Sequence, residues 1–403
     1  MNALTQTWGG HRHCWFAALA ALAASVCFTG CVGNGPNGND NTDPTGTLVD
    51  GNKDTSLTSP LGKTFGEPND TFAQAMVAVF DRTGLAELQG NVPAAGDIDV
   101  FRLGELDAGD RIIIDAAAPG SQLDVSVVLF DGDQRLVYEN DDRNDSSSRY
   151  LDPYISFVVR RVGDEYYLAV SHSTFAERGG YTGNYTIDVR VSSGHVVPAP
   201  VPQILVLDFD GAFVNSPLLG MVRLDVFDAS DIDGSYQGQT EVIKQGIYDT
   251  VVQNYERFNV TVLTSDDVLP ADPNSYSTIY FGGFSMNAFG LAEAVDLYNA
   301  DFCDDAIIYT QSFTPNMFTV PPSAQELAIG IGNVAAHEAG HLLGLNHTDD
   351  DADLMDAASP ADAFLLDQEF MEAPLHGDIM PIGFQDGVLL LNETVGPAAA
   401  ADP

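Results

Sequence analysis

The chain runs to 403 residues, is 45% hydrophobic, and carries 58 acidic against 16 basic side chains for a net charge of −42. That length holds two or three domains with a core each, and that charge repels both nucleic acid and anionic lipid headgroups, which excludes them as partners. Of the four cysteines, Cys14, Cys27 and Cys31 crowd the N-terminus and Cys303 stands apart as a small buried residue, so no intramolecular disulfide framework is expected.

Residues 1–30 read as an export signal. Arg12, flanked by His11 and His13, makes a polar start, and Trp15 to Phe28 is an apolar run of 14 residues, the length of a signal core and too short to span a bilayer. Phe28-Thr29-Gly30-Cys31 resembles a bacterial lipobox, with Phe28 where Leu is usual. The resemblance implies lipidation at Cys31 and a lipoprotein of the bacterial cell envelope or surface, joined to the membrane through that lipid alone. The alternative is cleavage and secretion. Residues 31–66 are rich in Gly, Asn, Asp, Thr and Pro and are expected to form a disordered linker, because they bury too little apolar surface to fold.

From 67 to 193 the pattern changes to short β-branched or aromatic runs, Arg111 to Asp115, Val125 to Phe130, Ile155 to Val159, Tyr166 to Val170 and Tyr185 to Val189, separated by turn clusters such as Asp131-Gly132-Asp133. Many short strands with turns between them predict an all-β sandwich. The stretch resembles the bacterial pre-peptidase C-terminal (PPC) domain through Glu67-Pro68-Asn69-Asp70, Gly96-Asp97-Ile98-Asp99-Val100-Phe101, Asn140-Asp141-Asp142 and Gly183-Asn184-Tyr185. In that family the module usually follows a peptidase; here it would precede one. Glu67, Asp70, Asp97 and Asp99 are hard oxygen ligands and form a candidate Ca²⁺ site, with solvated loop acids as the other reading.

Residues 194–202 form a Pro-rich linker, semi-rigid and extended. Residues 203–396 make the last domain, with 397–403 as a tail. Ile204 to Leu207 predicts a buried strand, and Glu241 to Phe258 has the apolar spacing of a helix lying on a sheet. Strands are predicted at Asn259 to Leu263, Thr278 to Phe281 and Ala306 to Thr310, an edge strand at Gly290 to Glu293, and a last helix near Phe384 to Leu391. Ser323, with Glu326 three residues on, predicts a capping box that starts a long helix.

That helix carries His337-Glu338-Ala339-Gly340-His341-Leu342-Leu343-Gly344-Leu345-Asn346-His347. His337 and His341, four apart, share one helical face and can bind one metal ion. Glu338 sits one step round, where a general base for a metal-activated water belongs. Gly344 permits the left-handed turn that brings His347 back as third ligand. Three nitrogens leave the fourth position of a tetrahedral Zn²⁺ open, the mark of a catalytic site. This motif, with Met355 eight residues beyond His347, resembles the metzincin zinc peptidases in the matrixin spacing. Where that family often carries a tyrosine after the methionine, Asp356 and Ala357 stand instead, so no tyrosine-assisted transition state is assumed.

The expected fold class is therefore multidomain, an N-terminal all-β sandwich of jelly-roll type followed by an α/β (α+β) zincin catalytic domain. The resemblance implies a zinc metalloendopeptidase that hydrolyses internal peptide bonds of extracellular proteins, with Met355 as an apolar floor under the ligands. Protein or peptide is the substrate, a monomer is expected, and the S1′ wall should include Asp356 to Ser359. The acidic loop Asp349 to Asp353 is read as negative charge over the site, with Ca²⁺ binding as the alternative; His376 is read as a surface histidine. The competing class is an inert surface adhesion protein that uses a calcium-dependent sandwich.

Overall fold

The computed structural model describes residues 47–50, 55–58, 67–143, 151–174, 180–216, 219–358 and 360–399. The export signal, Cys31 and Ser359 lie outside them. Inside the expected linker, β1 (Thr47–Asp50) and β2 (Thr55–Thr58) pair antiparallel. Among the described residues no helix is long and apolar enough to cross a membrane.

The next strands are β3 (Met76–Val77), β4 (Leu85–Val92), β5 (Asp99–Leu106), β6 (Arg111–Ala117), β7 (Val125–Phe130), β8 (Leu136–Asn140), β9 (Tyr154–Val158), β10 (Asp164–His172) and β11 (Gly183–Ser192). They build two sheets, β3-β5-β10-β7-β8 and β4-β11-β6-β9, packed face to face. Alternation explains most of them: in β6, Ile112, Ile114 and Ala116 point inward while their neighbours are half-buried. β7 departs from alternation, since all six of its residues are buried. Val127 and Leu129 enter the sandwich core, while Val128 and Phe130, on the opposite face, join Ile98, Val100, Leu136 and Ala169 in the core of the C-terminal unit. The expectation of separate cores fails at this surface, because the five-stranded sheet is covered on both sides.

The C-terminal unit comprises β12 (Gln203–Asp208), β13 (Ala212–Ser216), β14 (Gly220–Leu224), α1 (Thr240–Tyr255), β15 (Val260–Thr264), β16 (Ser277–Phe281), β17 (Gly290–Ala292), β18 (Asp305–Ile308), α2 (Ala324–Leu342), β19 (Glu372–Pro374), β20 (Phe384–Asp386) and α3 (Gly387–Thr394). Its main sheet runs β15-β12-β16-β18-β17, parallel except for the antiparallel edge strand β17. α2 is buried almost all round, and small residues let it lie close to α1: a Cβ on Gly332 would stand 2.6 Å from Thr250 Cβ, and one on Gly246 2.6 Å from Ala328 Cβ. The capping box at Ser323 is formed in both directions.

Three local expectations are corrected. Phe384 to Asp386 is a strand rather than helix; Asp386 caps α3 by accepting from the Leu389 N–H at 2.9 Å, so the helix starts at Gly387. The 194–202 linker is tacked down, its Val201 N–H donating to Thr394 O at 2.9 Å. Cys303 is buried but disulfide-bonded.

Candidate metal centre

His337 and His341 occupy the last two turns of α2. The helix closes in a Schellman motif: Gly344 takes φ +93°, its N–H donates to His341 O at 2.9 Å, and the Leu345 N–H donates to Gly340 O at 2.9 Å. The turn delivers His347, whose Nε2 lies 3.1 Å from Nε2 of both His341 and His337. His337 Nδ1 is 2.7 Å from Leu354 O and His341 Nδ1 2.8 Å from Leu345 O. A ring nitrogen facing a carbonyl must carry the proton, so the Nε2 atoms of those two rings are bare lone pairs. Burial holds the imidazoles neutral, with repulsion from neighbouring imidazoles adding to it at His341 and His347: His337 is lowered, His341 is pushed down to about 3, and His347 lies well below the usual range.

Lone pairs converging at 3.1 Å repel unless a cation sits among them. Tetrahedral zinc with bonds of about 2.0–2.1 Å to nitrogen separates its ligands by about 3.3 Å. The three histidines therefore fit zinc by chemistry and by spacing, and they form one potential metal-binding group.

Glu338 is 7% exposed. Its carboxylate accepts from the Ala292 N–H on β17, while burial, the dominant effect, raises its pKa to about 8; a cation among the histidines acts in the opposite direction. A Cβ on Gly290 would stand 2.5 Å from Glu338 Cγ, so only glycine lets the edge strand approach the carboxylate this closely. Met355 is fully buried, with its sulfur where a Cβ on Gly340 would need to be, 2.6 Å away.

Two supports were not legible as such. Gln385 on β20 uses its side-chain amide like a strand partner: its Oε1 accepts from the Asn346 N–H and its Nε2 donates to Asn346 O, both at 2.7 Å, directly before His347. Asp353 does not cover the site with charge. It is buried, accepts from Thr348 Oγ1 at 2.7 Å and from the Met371 N–H at 3.2 Å, and so ties the methionine turn to the residue after the third ligand. His376, read as a surface residue, is part-exposed and packs its ring edge-on against His347 at 6.4 Å between ring centroids, and its backbone N–H donates to His347 O at 3.1 Å.

Beside His337 and Glu338 a pocket opens between Phe289, Val334, Leu354, Ala357 and Phe364. Its amides are committed elsewhere: Asn333 Nδ2 donates to Phe364 O and Leu366 O at 2.9 and 2.8 Å, and Gln368 Nε2 to Asp351 O at 3.1 Å. Asp356 and Ala357, expected in the S1′ wall, do line it.

In the sandwich, Glu67, Asp70 and Asp97 bring carboxylate oxygens within 4.8 Å of one another. Asp99 is not in that group. It is buried and bound at both oxygens, accepting from Asn69 Nδ2 at 2.7 Å and from Tyr185 OH at 2.5 Å, so it scaffolds the loop behind the cluster. Asp97 is pushed up to about 7 by burial first and then by Asp99, Glu67 and Asp70. Asp97 Oδ2 is enclosed with no hydrogen-bond partner among the described residues.

No curated protein matches the sequence. Among solved structures, archaemetzincin from Methanopyrus kandleri is 14% identical over 42% of this chain and 89% of that one, with a TM-score of 0.23. A zinc-dependent peptidase from Methanocorpusculum labreanum is 15% identical over 40% and 91%, with a TM-score of 0.24. The pre-peptidase C-terminal domain of a Bacillus anthracis collagenase is 16% identical over 29% and 94%, with a TM-score of 0.21. Scores this low carry no functional argument. The family model for Matrixin matches residues 104–369, a span that takes in the three histidines, Glu338 and Met355. With more than half of its length matched, the chain belongs to the matrixin family of metzincin zinc metallopeptidases.

Proposed function

We propose that the protein is an endopeptidase that cleaves internal bonds of proteins outside the cell, with Glu338 as general base. One observation carries this reading: the Glu338 carboxylate is fixed by the Ala292 N–H of an edge strand while it stands beside three convergent histidines. His337, His341 and His347 would hold the metal; when bound, zinc supplies Lewis acidity that polarises the scissile carbonyl and acidifies water. Glu338 takes the proton of the attacking water and passes it to the leaving amine. β17 is the outermost strand of its sheet, and a substrate laid along it adds main-chain hydrogen bonds.

The pocket beside Glu338 is walled mainly by apolar side chains, its Asn333 and Gln368 amide N–H groups already donate elsewhere, and the Asp356 carboxylate on its wall repels acids, so it favours an apolar over an acidic side chain just C-terminal to the cut. Burying a leucine side chain is worth about 1.5–3 kcal/mol, which predicts kcat/KM for a Leu substrate roughly 10–150-fold above that for its Asp counterpart. Digestion of mixed proteins followed by mapping of cleavage sites tests both proposals. Absence of cleavage overturns the endopeptidase reading; cleavage before acidic residues overturns the pocket assignment alone.

We also propose that Glu67, Asp70 and Asp97 bind Ca²⁺, supported by the enclosed, unpartnered Asp97 oxygen. Without a cation, a carboxyl whose folded pKa is raised holds its proton more tightly when folded. Its contribution to stability is then present below the unfolded value near 3.9 and lost as pH rises through about 7. The expected result is a melting temperature that falls between pH 4 and 7 in chelator and is restored by millimolar calcium at pH 7. The full chain is the material to use, since its two units share a core. Identical melting curves with chelator and with calcium at pH 7 return these acids to the solvent-facing reading.

A further inference from the structure

Between β17 and β18 the chain makes a turn at residues 296–299 that touches both halves of the molecule. Tyr298 and Asn299 both adopt left-handed backbone, φ 63° and 51°; asparagine enters that region readily, but a bulky residue such as Tyr298 does so where its surroundings hold it there. On one side the turn lies against the zinc ligands. The Asp296 N–H donates to His341 O at 2.9 Å, adding a partner for a carbonyl at the C-terminal end of α2. A Cβ on Gly344 would stand 2.8 Å from each of Asp296 O, Leu297 Cα and Tyr298 N, so the turn is pressed onto the glycine that redirects the chain to His347. The next residue, Leu345, supplies the carbonyl that orients His341.

On the other side, Tyr298 enters the sandwich where its two sheets end, between the outermost strands β8 and β9. Its ring stacks on Phe157 of β9 at 5.2 Å and on Tyr138 of β8 at 6.1 Å. The Arg160 guanidinium lies 4.2 Å from the ring centroid, and the hydroxyl donates to Val137 O at 2.8 Å. Tyr298 is packed against the sandwich core and against the peptidase core alike.

We propose that Tyr298 is a positioning residue for the zinc centre, and that the sandwich retains zinc in the peptidase by gripping this side chain. The sandwich fixes Tyr298, Tyr298 fixes the strained turn, and the turn holds Gly344 and Leu345 in the geometry that aims His341 and His347. Freed from the sandwich, the turn relaxes out of its left-handed conformation and the ligands lose their common focus. The proposal rests on the three-histidine centre and is independent of the role given to Glu338.

The test is the rate at which the zinc-loaded full-length protein releases metal to a chromophoric chelator. Tyr298→Leu keeps apolar bulk and removes the stack and the hydroxyl. Outer-shell substitutions at metal sites typically cost about 10–100-fold in affinity, so release is expected to accelerate by about tenfold or more. Tyr298→Phe keeps the stack and should stay closer to wild type than to Tyr298→Leu. Leu88→Ala, in the sandwich core on the edge strand opposite β9, controls for loss of stability: it should lower the melting temperature and leave the release rate at the wild-type value. Release from Tyr298→Leu at the wild-type rate overturns the proposal, as does equal acceleration by Leu88→Ala at an equal loss of melting temperature. A wild-type protein that takes up no zinc overturns the metal centre and this proposal together, which separates the two failures.

Discussion

Glu338→Gln is expected to lower kcat by about 10²–10⁴-fold, the usual worth of general-base catalysis and about 3–5 kcal/mol of barrier, while zinc content stays that of the wild type. The amide has the shape of the carboxylate, and its oxygen still accepts from the Ala292 N–H, so the side chain keeps its place under β17. What it loses is basicity. KM should move little, because a substrate lying along β17 is held by main-chain hydrogen bonds that Glu338 does not make. Stability gives a second readout. Burial raises the Glu338 pKa to about 8, so in the metal-free fold this carboxyl opposes folding increasingly as pH rises from the unfolded value near 4.3 to about 8, and removing the ionisable group spares the fold that cost. The zinc-free variant should therefore melt at or above the temperature of zinc-free wild type. Near-normal turnover with full zinc would move the base to another residue. Loss of zinc together with activity would make Glu338 a ligand or a support.

What the sequence disclosed about this site is what local rules govern. Two histidines four apart must share a helical face, Ser323 and Glu326 cap their helix as the spacing requires, and Gly344 turns left-handed where the motif needs a turn. The supports of the third ligand obey no period. Gln385 reaches Asn346 from 39 residues downstream, and Tyr298 presses on Gly344 from 46 residues upstream through a turn that nothing in its composition marks. Asp353 looked like one more acid in an acidic loop, and only tertiary structure turns it inward onto Thr348. One signal was present and carried more than it was given: Val127-Val128-Leu129-Phe130 does not alternate, and an unbroken apolar run is the pattern of a strand buried on both faces. That run foretold a sheet covered by a second layer, hence a sandwich docked on its neighbour rather than tethered to it. The calcium cluster shows the opposite limit. Four acids in two separate sequence pairs looked alike, and the hydrogen bonds from Asn69 and Tyr185 set Asp99 apart from the other three.

His347→Ala should abolish high-affinity zinc binding. It removes one of three nitrogens outright, so the loss of affinity should exceed about 100-fold, the upper end of what an outer-shell change costs. A protein loaded at one hundred times its Kd gains about 2.7 kcal/mol of stability from the bound ion, and the variant forfeits most of that. The remaining pair, His337 and His341, keep their Nδ1 contacts to Leu354 O and Leu345 O, so the helix and its two rings stay oriented and only the closing nitrogen is missing. Removal of one imidazole also relieves lone-pair repulsion that the metal-free wild type must bear across 3.1 Å. In chelator, the variant should therefore melt no lower than the wild type, while in zinc it should melt several degrees below it. Because the five-stranded sheet shares its outer face with the peptidase core, the transition should report on both units together rather than leave the sandwich folded alone. Metal analysis finding undiminished zinc in His347→Ala would sink the assignment of the third ligand. A variant that melts well below zinc-free wild type would make His347 a packing residue first and a ligand second.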